Sequence, residues 1–495
     1  MPTTHAGRFD QNIWEVTEPF TELQYQQELS LVLTSDFGSR RPAGILLPER
    51  RRSRLIEMLR TREHEWAHFR QHISTQYGLF LHRLSALKEV AVGHFFRELD
   101  AAGLQYRPRP FRVLLFEPDY AEHPMVRTAL FLWHVAEVIS SCLWSKSARM
   151  DYLIRHWSAL TEIAQHPGAR ILPFEGKVAG IQTSRTPASL STEHGRFKIQ
   201  DLVEGYAKFR EFWHVAQIFG KQEARKHLDG TWIGTYGGAS LHVSKRLGLE
   251  REHPLVGALL EISMAAFLDP LVNSDLGTIV WENIHPAMLF ERAVEALASR
   301  GAPYPSGWED SYTEAAGVLM KDAPQSMALD DWIERSRKYL FPLETLAFSQ
   351  CENLHEYIWQ YQIGTFVEGL DLRRRCPGAY YLHQSKVDEA ARAKLKLIGV
   401  PPILLNPEGI FFTHSAERSP DIAFALAASN IVLRAAHEIS NEGSLKHTAR
   451  HAIRLSKEIR RISPADEIDI KGIFIEALGT TVGAKLRKLT GGIIE

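Results

Sequence analysis

The sequence predicts a mainly α fold with a few short strands (α+β). Apolar residues recur at helical spacing over most of the chain. The few runs that read as strands are short and bounded by Pro or Gly. Strands and helices do not alternate, which argues against a doubly wound sheet. With 495 residues the chain allows about two or three domains. Its 44% apolar and 24% charged residues exclude wholesale disorder, collagen-like repeats and a disulfide mini-scaffold.

In chain order, 55–74 predicts a helix: Leu55, Ile56, Leu59, Trp66 and Phe69 form an apolar stripe, and no Gly or Pro interrupts 49–77. A second helix is expected over 79–99. The apolar run 111–116 lies between Pro110 and Pro118 and reads as a strand. Helices are expected at 122–145, 148–165, 199–219, 255–268 and 286–299. Asp201 or a neighbour caps the helix at 199–219, and Gly220 ends it. The segment 301–308 is rich in Gly and Pro and marks the expected boundary between a domain at 1–300 and one at 301–495. Beyond it come helices at 328–340, 343–363 and 384–395, a hairpin over 402–413 that turns at Asn406-Pro407-Glu408-Gly409, and long helices at 419–440 and 444–461.

Fifty-eight Lys and Arg face 59 Asp and Glu, a net charge of -1, so no global pull toward nucleic acid or an anionic membrane is expected. The three cysteines, Cys142, Cys351 and Cys376, are odd in number and widely spaced, which fits a reducing compartment. The N-terminal residues show no secretory signal. The most apolar stretches, 128–144 and 256–272, contain His134 and Glu137, and Glu261 and Asp269. Both fall short of a clean span of ~20 apolar residues and read as buried helices. The expected setting is the cytoplasm, away from membranes.

One motif stands above this background. Residues 64–68 read His64-Glu65-Trp66-Ala67-His68, an HExxH, where about 0.06 chance matches are expected for this composition. On a helix, i and i+4 share a face, so both imidazoles can reach one zinc at ~2.0–2.1 Å. Glu65 stands beside them, where it can take a proton from the water that zinc activates. His72 extends the series, but it lies roughly 12 Å along the axis from His64, too far for one ion on an unbroken helix. A third ligand must come from elsewhere. Glu204, in Leu202-Val203-Glu204-Gly205-Tyr206-Ala207, is the best candidate, because Gly205 and Ala207 allow close helix approach. Glu89 and Glu98 on the following helix are the alternatives.

These residues resemble the HExxH zinc metallopeptidases of the gluzincin type. In particular, His64 to His68 followed by an aromatic, a Gln and then Ser74-Thr75 and Gly78 looks like a loose set of uncharacterised bacterial proteins, whose Glu-Gly-x-Ala helix is similar to Glu204-Gly205-x-Ala207. The resemblance implies a helical zincin-like core with His64, His68 and Glu204 as ligands of one Zn2+ per chain. It covers two short helices, and about 135 residues separate His68 from Glu204, far more than in thermolysin-like enzymes. The implied chemistry is hydrolysis of a peptide bond in a specific protein substrate, with Glu65 as general base and then proton donor. A donor for the oxyanion is also required. Tyr77, Tyr206, His214 and His285 are candidates, and His285, at a helix start before Pro286, is the chosen one. The domain at 301–495 would select substrate or receive a regulatory protein partner, as in an effector of bacterial stress or antiviral defence.

The reading from another class is a non-enzymatic helical interaction or scaffold protein in which HExxH is coincidental or structural. His355-Glu356-Tyr357-Ile358-Trp359 is only half a motif, since Trp359 stands where the second ligand belongs. The glycines at 234–238 lack the order of a nucleotide site. Two basic patches remain: Arg50, Arg51, Arg52 and Arg54, and the late-helix set Lys446, Arg450, Arg454, Lys457, Arg460 and Arg461. Either can contact phosphates. The neutral net charge favours solvated faces paired with nearby acids, so a nucleic-acid partner is not expected.

Overall fold

The computed structural model describes residues 7–10, 14–33, 47–144, 197–266, 286–321, 334, 354–381, 389–413, 420–462 and 488–489. The protein is mainly helical with one small sheet. Two strands, β1 (Arg8–Asp10) and β2 (Glu15–Thr17), open it, followed by helix α1 (Glu22–Leu33). Then come α2 (Glu49–Ser74) and α3 (Gln76–Ala101). The corner between them is tight because the Thr75 hydroxyl accepts from the Gly78 amide. A Cβ on Gly78 would lie 1.8 Å from the carbonyl oxygen of His72, so only glycine fits there.

Two single-turn helices follow, α4 (Phe111–Leu114) and α5 (Pro118–Ala121), and then the long α6 (Pro124–Trp144). The expected strand at 111–116 is therefore a helical turn. Pro110 starts it with a φ suited to a helix, and buried Phe111 and Leu114 sit three apart on one face. The apolar run was real, but its period was helical.

Next are α7 (Ile199–Phe219), α8 (Lys221–Leu228), α9 (Gly238–Leu247), α10 (Pro254–Ala265), α11 (Pro286–Arg300) and α12 (Trp308–Lys321). As expected, Gly220 ends α7, with φ 89°. The expected helices at 148–165 and 328–340 lie outside the described residues, apart from helical residue 334. Helix α13 (Leu354–Arg375) continues twelve residues beyond the expected end at 363. Helix α14 (Glu389–Ile398), the hairpin β3 (Ile403–Asn406) and β4 (Gly409–Phe412), α15 (Pro420–Glu442) and α16 (Lys446–Ile462) complete the chain. The hairpin turns where expected, with the Asn406 side chain accepting from the amides of Glu408 and Gly409.

The sheet runs β1-β2-β3-β4, antiparallel except for the parallel pair β2–β3. Glu15 pairs with Ile403 and Val16 with Leu404, so elements on either side of 301–308 share this sheet. Helix α2 lies at the centre, packed against α7, α3, α13 and β1. A buried charge network ties α2 to α7. Glu63 accepts from Arg70 at 3.1 Å and from Arg210 at 2.9 Å. Burial drives the Glu63 carboxyl up, yet the two guanidinium charges outweigh it and hold it down at about 2. Farther along, Arg373 of α13 pairs with Glu261 of α10, both fully buried. Among the described residues no helix is long and apolar enough to cross a membrane.

Candidate metal centre

Helix α2 is unbroken through the motif, so His64 and His68 stand one turn apart on one face. Their Nε2 atoms are 3.1 Å apart. Helix α7 crosses this face, and Glu204 Oε2 lies 3.0 Å from His64 Nε2 and 3.5 Å from His68 Nε2. The three ligand atoms fall within 4.8 Å of one another, a group that could hold a metal ion. Two imidazole nitrogens and a carboxylate oxygen converging this closely need a shared cation or proton to offset their lone pairs.

Glu211 stands behind His64, with Oε1 2.7 Å from His64 Nδ1. Its other oxygen accepts from Lys208 at 2.6 Å, and both side chains are buried. The sequence reading missed Glu211. The signal was present, because 204, 208 and 211 share one helical face. His68 Nδ1 is buried with no hydrogen-bond partner among the described residues.

Electrostatics concentrate on these groups. Burial pulls His64 down, but hydrogen bonds with Glu204 and Glu211 outweigh it and push the imidazole up to about 10. Burial pushes Glu204 up, but hydrogen bonds with His64 and His68 outweigh it and hold the carboxyl well below the usual range. Glu65 is buried, and burial raises its carboxyl despite the neighbouring histidines. The Phe9 amide of β1 donates to that carboxylate. Gly7 lies so close that an added Cβ would be 2.8 Å from Glu65 Cγ. The sheet edge thus fixes where Glu65 points.

A pocket of about 100 Å³ opens beside the cluster, lined by His68 and Glu204 together with Phe9, Gln71, His72 and Tyr77 among others. That is room for several waters. His72 is buried at ring-centroid distances of 5.9 Å from Phe9 and Trp14, and it lies outside the ligand group, as helical rise predicted.

The other sequence candidates are dispersed. Gly205 faces α10, with Leu260 3.5 Å from an added Cβ, so its small size serves that contact and not the approach to α2. Glu98 lies 3.6 Å from His94 and outside the ligand group, and the side chain of Glu89 is not among those described. Tyr206 donates its hydroxyl to the carbonyl of Tyr380. His214 sits beside the Glu63–Arg210 pair. Tyr77 lines the pocket, and His285 lies outside the described residues. An aromatic that the sequence reading passed over stands nearer: the ring centroid of Tyr236 is 5.8 Å from that of His64. It belongs to a 3-10 turn over Gly234–Tyr236, inside the glycine cluster that has no nucleotide-site order. Burial, then the charges of Glu204, Glu65 and Glu211, raise its phenol. No family model, curated protein or solved structure matches the chain.

Proposed function

We propose that the protein is a zinc-dependent peptidase acting on a protein or peptide substrate. The observation that carries this reading is the convergence of His64, His68 and Glu204 beside Glu65. Two imidazoles and a carboxylate form a donor set of hydrolytic zinc sites, which leave one position open. Ligands at ~2.0–2.1 Å around a tetrahedral ion stand about 3.3–3.4 Å apart. The separations of 3.0, 3.1 and 3.5 Å are close to those edges. Glu211 behind His64 is the carboxylate partner such a ligand requires to fix its ring.

Bound there, zinc supplies a Lewis acid to the scissile carbonyl and increases the acidity of a water. Glu65 accepts the proton of the attacking water and passes it to the leaving amine. Its raised carboxyl suits both halves of that transfer. Tyr236 donates its hydroxyl to the developing oxyanion, taking the part that His285 has in the sequence-based expectation. The pocket beside His68 and Glu204 receives a substrate side chain.

The test is the metal content of the purified protein by elemental mass spectrometry, wild type beside His68→Ala. One zinc per chain, lost in the variant, supports the site, and Glu65→Gln then serves as a trap for substrate. A protein that takes up no zinc even when zinc is offered overturns the reading.

A further inference from the structure

The two basic patches in the sequence differ once their surroundings are compared. Around the first, acids engage Arg52 and Arg54, while Arg50 and Arg51 are exposed with no acidic partner among the described residues. Arg52 pairs with Glu223 at 2.9 Å, Arg54 with Glu28 at 3.9 Å, and Lys226 with Glu49 at 3.6 Å. The second patch lies on α16. Lys446, Arg450, Arg454 and Lys457 are all exposed, and their side chains have no acidic partner among the described residues. Glu458, an acid on the same helix, is buried and engages Arg461 at 2.8 Å. At the head of the helix, Glu438 is committed to the amides of His447 and Thr448.

The geometry of the row is regular. At 3.6 residues per turn, positions 446, 450, 454 and 457 fall within an arc of about 80°, and at 1.5 Å per residue they extend about 16 Å. Neighbours in the row are about 4.5–6 Å apart along the axis. The opposite face of α16 is buried: Ala449, Ala452, Leu455 and Ile459 are all in the core. The helix is therefore held rigidly, with its cations outward.

We propose that this face of α16 binds the phosphate backbone of a nucleic acid, without reading its sequence. Such binding is driven by release of counterions from phosphates, so it needs a line of cations and no apolar contact. A membrane surface is the poorer match. Helices that lie on bilayers insert an apolar face, and here that face is buried in the core. An acidic protein partner is poorer too, since protein interfaces centre on apolar or aromatic anchors and the row contains none. A net charge of -1 does not oppose the inference, because phosphates are felt over about a Debye length, not over the whole chain. The proposal does not rest on the zinc reading.

The test is fluorescence anisotropy of the full-length protein with labelled mixed-sequence DNA, duplex and single-stranded. Four phosphate contacts predict log–log salt slopes of about −3.6 for duplex and about −2.8 for single strand. Between about 50 and 200 mM salt, that is a loss of affinity of roughly 150-fold and 50-fold. Arg450→Glu combined with Arg454→Glu should reduce the slope to half or less. Arg50→Glu combined with Arg51→Glu, an equal charge change outside the row, should leave it unaltered. No binding at the lowest salt overturns the proposal. So does binding indifferent to the α16 reversals, or binding only to phosphatidylserine vesicles. The wild-type slope stands on its own should a variant fold poorly, and circular dichroism checks each variant.

Discussion

Replacing Glu211 with Gln probes the proposed metal centre without touching a proposed ligand. Glu211 lies 2.7 Å from His64 Nδ1 and 2.6 Å from Lys208 Nζ, and it is buried. Glutamine keeps the shape and removes the charge. A ligating imidazole then loses the carboxylate that fixes its ring and makes its other nitrogen more basic. Losses of that kind weaken metal binding about 10–100-fold, or about 1.4–2.7 kcal/mol. The assay is competition for zinc against a chromophoric chelator at neutral pH, with Glu65→Gln as the reference that retains every ligand. The substitution also leaves Lys208 buried without its counter-charge, which destabilises the fold by itself. The double variant Glu211→Gln with Lys208→Met separates the two effects. It should recover thermal stability while its zinc affinity stays low. If Glu211→Gln binds zinc as tightly as the wild type, or if the double variant restores affinity along with stability, Glu211 has no part in the metal site.

Other consequences are open to measurement. Tyr236→Phe should leave zinc content unchanged and lower peptidase turnover about 10²-fold, the scale for one lost oxyanion donor; unchanged turnover removes Tyr236 from the mechanism. Gly78→Ala forces a methyl group to 1.8 Å from the His72 carbonyl, so the α2–α3 corner must open at a cost of about 3 kcal/mol or more, read as a lower midpoint in chemical denaturation. Arg373→Met strands Glu261 in the core and should destabilise by about 3–5 kcal/mol, whereas combining it with Glu261→Met should recover most of that loss. Burial raises the Glu15 carboxyl, but the hydrogen bond with His451 and the Arg434 charge outweigh it and hold it below the usual range. A folded-state pKa below the unfolded one gives stability that is present above the unfolded pKa and lost as pH falls through the folded value. Glu15→Gln should therefore lower the melting temperature near neutral pH and flatten its acid dependence. An unaltered acid limb would show that Glu15 does not contribute to it.

Much of the protein was legible from local pattern. Helical period alone puts His64 and His68 on one face with Glu65 beside them, excludes His72 by rise, and places Gly220 at a helix end and Asn406 in a turn. These are properties of neighbours within a few residues, which the sequence carries directly. Strands β1 and β2 escaped because three residues hold too little alternation, and the strand that joins β2 to the rest of the sheet lies almost 390 residues away at Ile403. The run at 111–116 misled because six residues are too few for a helical period to be told from a strand's in the sequence. Three glutamates were candidates for the third ligand, and only the packing of α7 across α2 brings Glu204 to 3.0 Å from His64. The same packing brings in Glu211, and the turn before α9 brings Tyr236. The two basic patches looked alike in sequence, and only the fold shows that acids from other elements reach Arg52 and Arg54 while four cations of α16 have no acidic partner among the described residues. Sequence determines which groups share a helix face. Which faces meet, and so which charges find partners, depends on long-range burial that no local window contains.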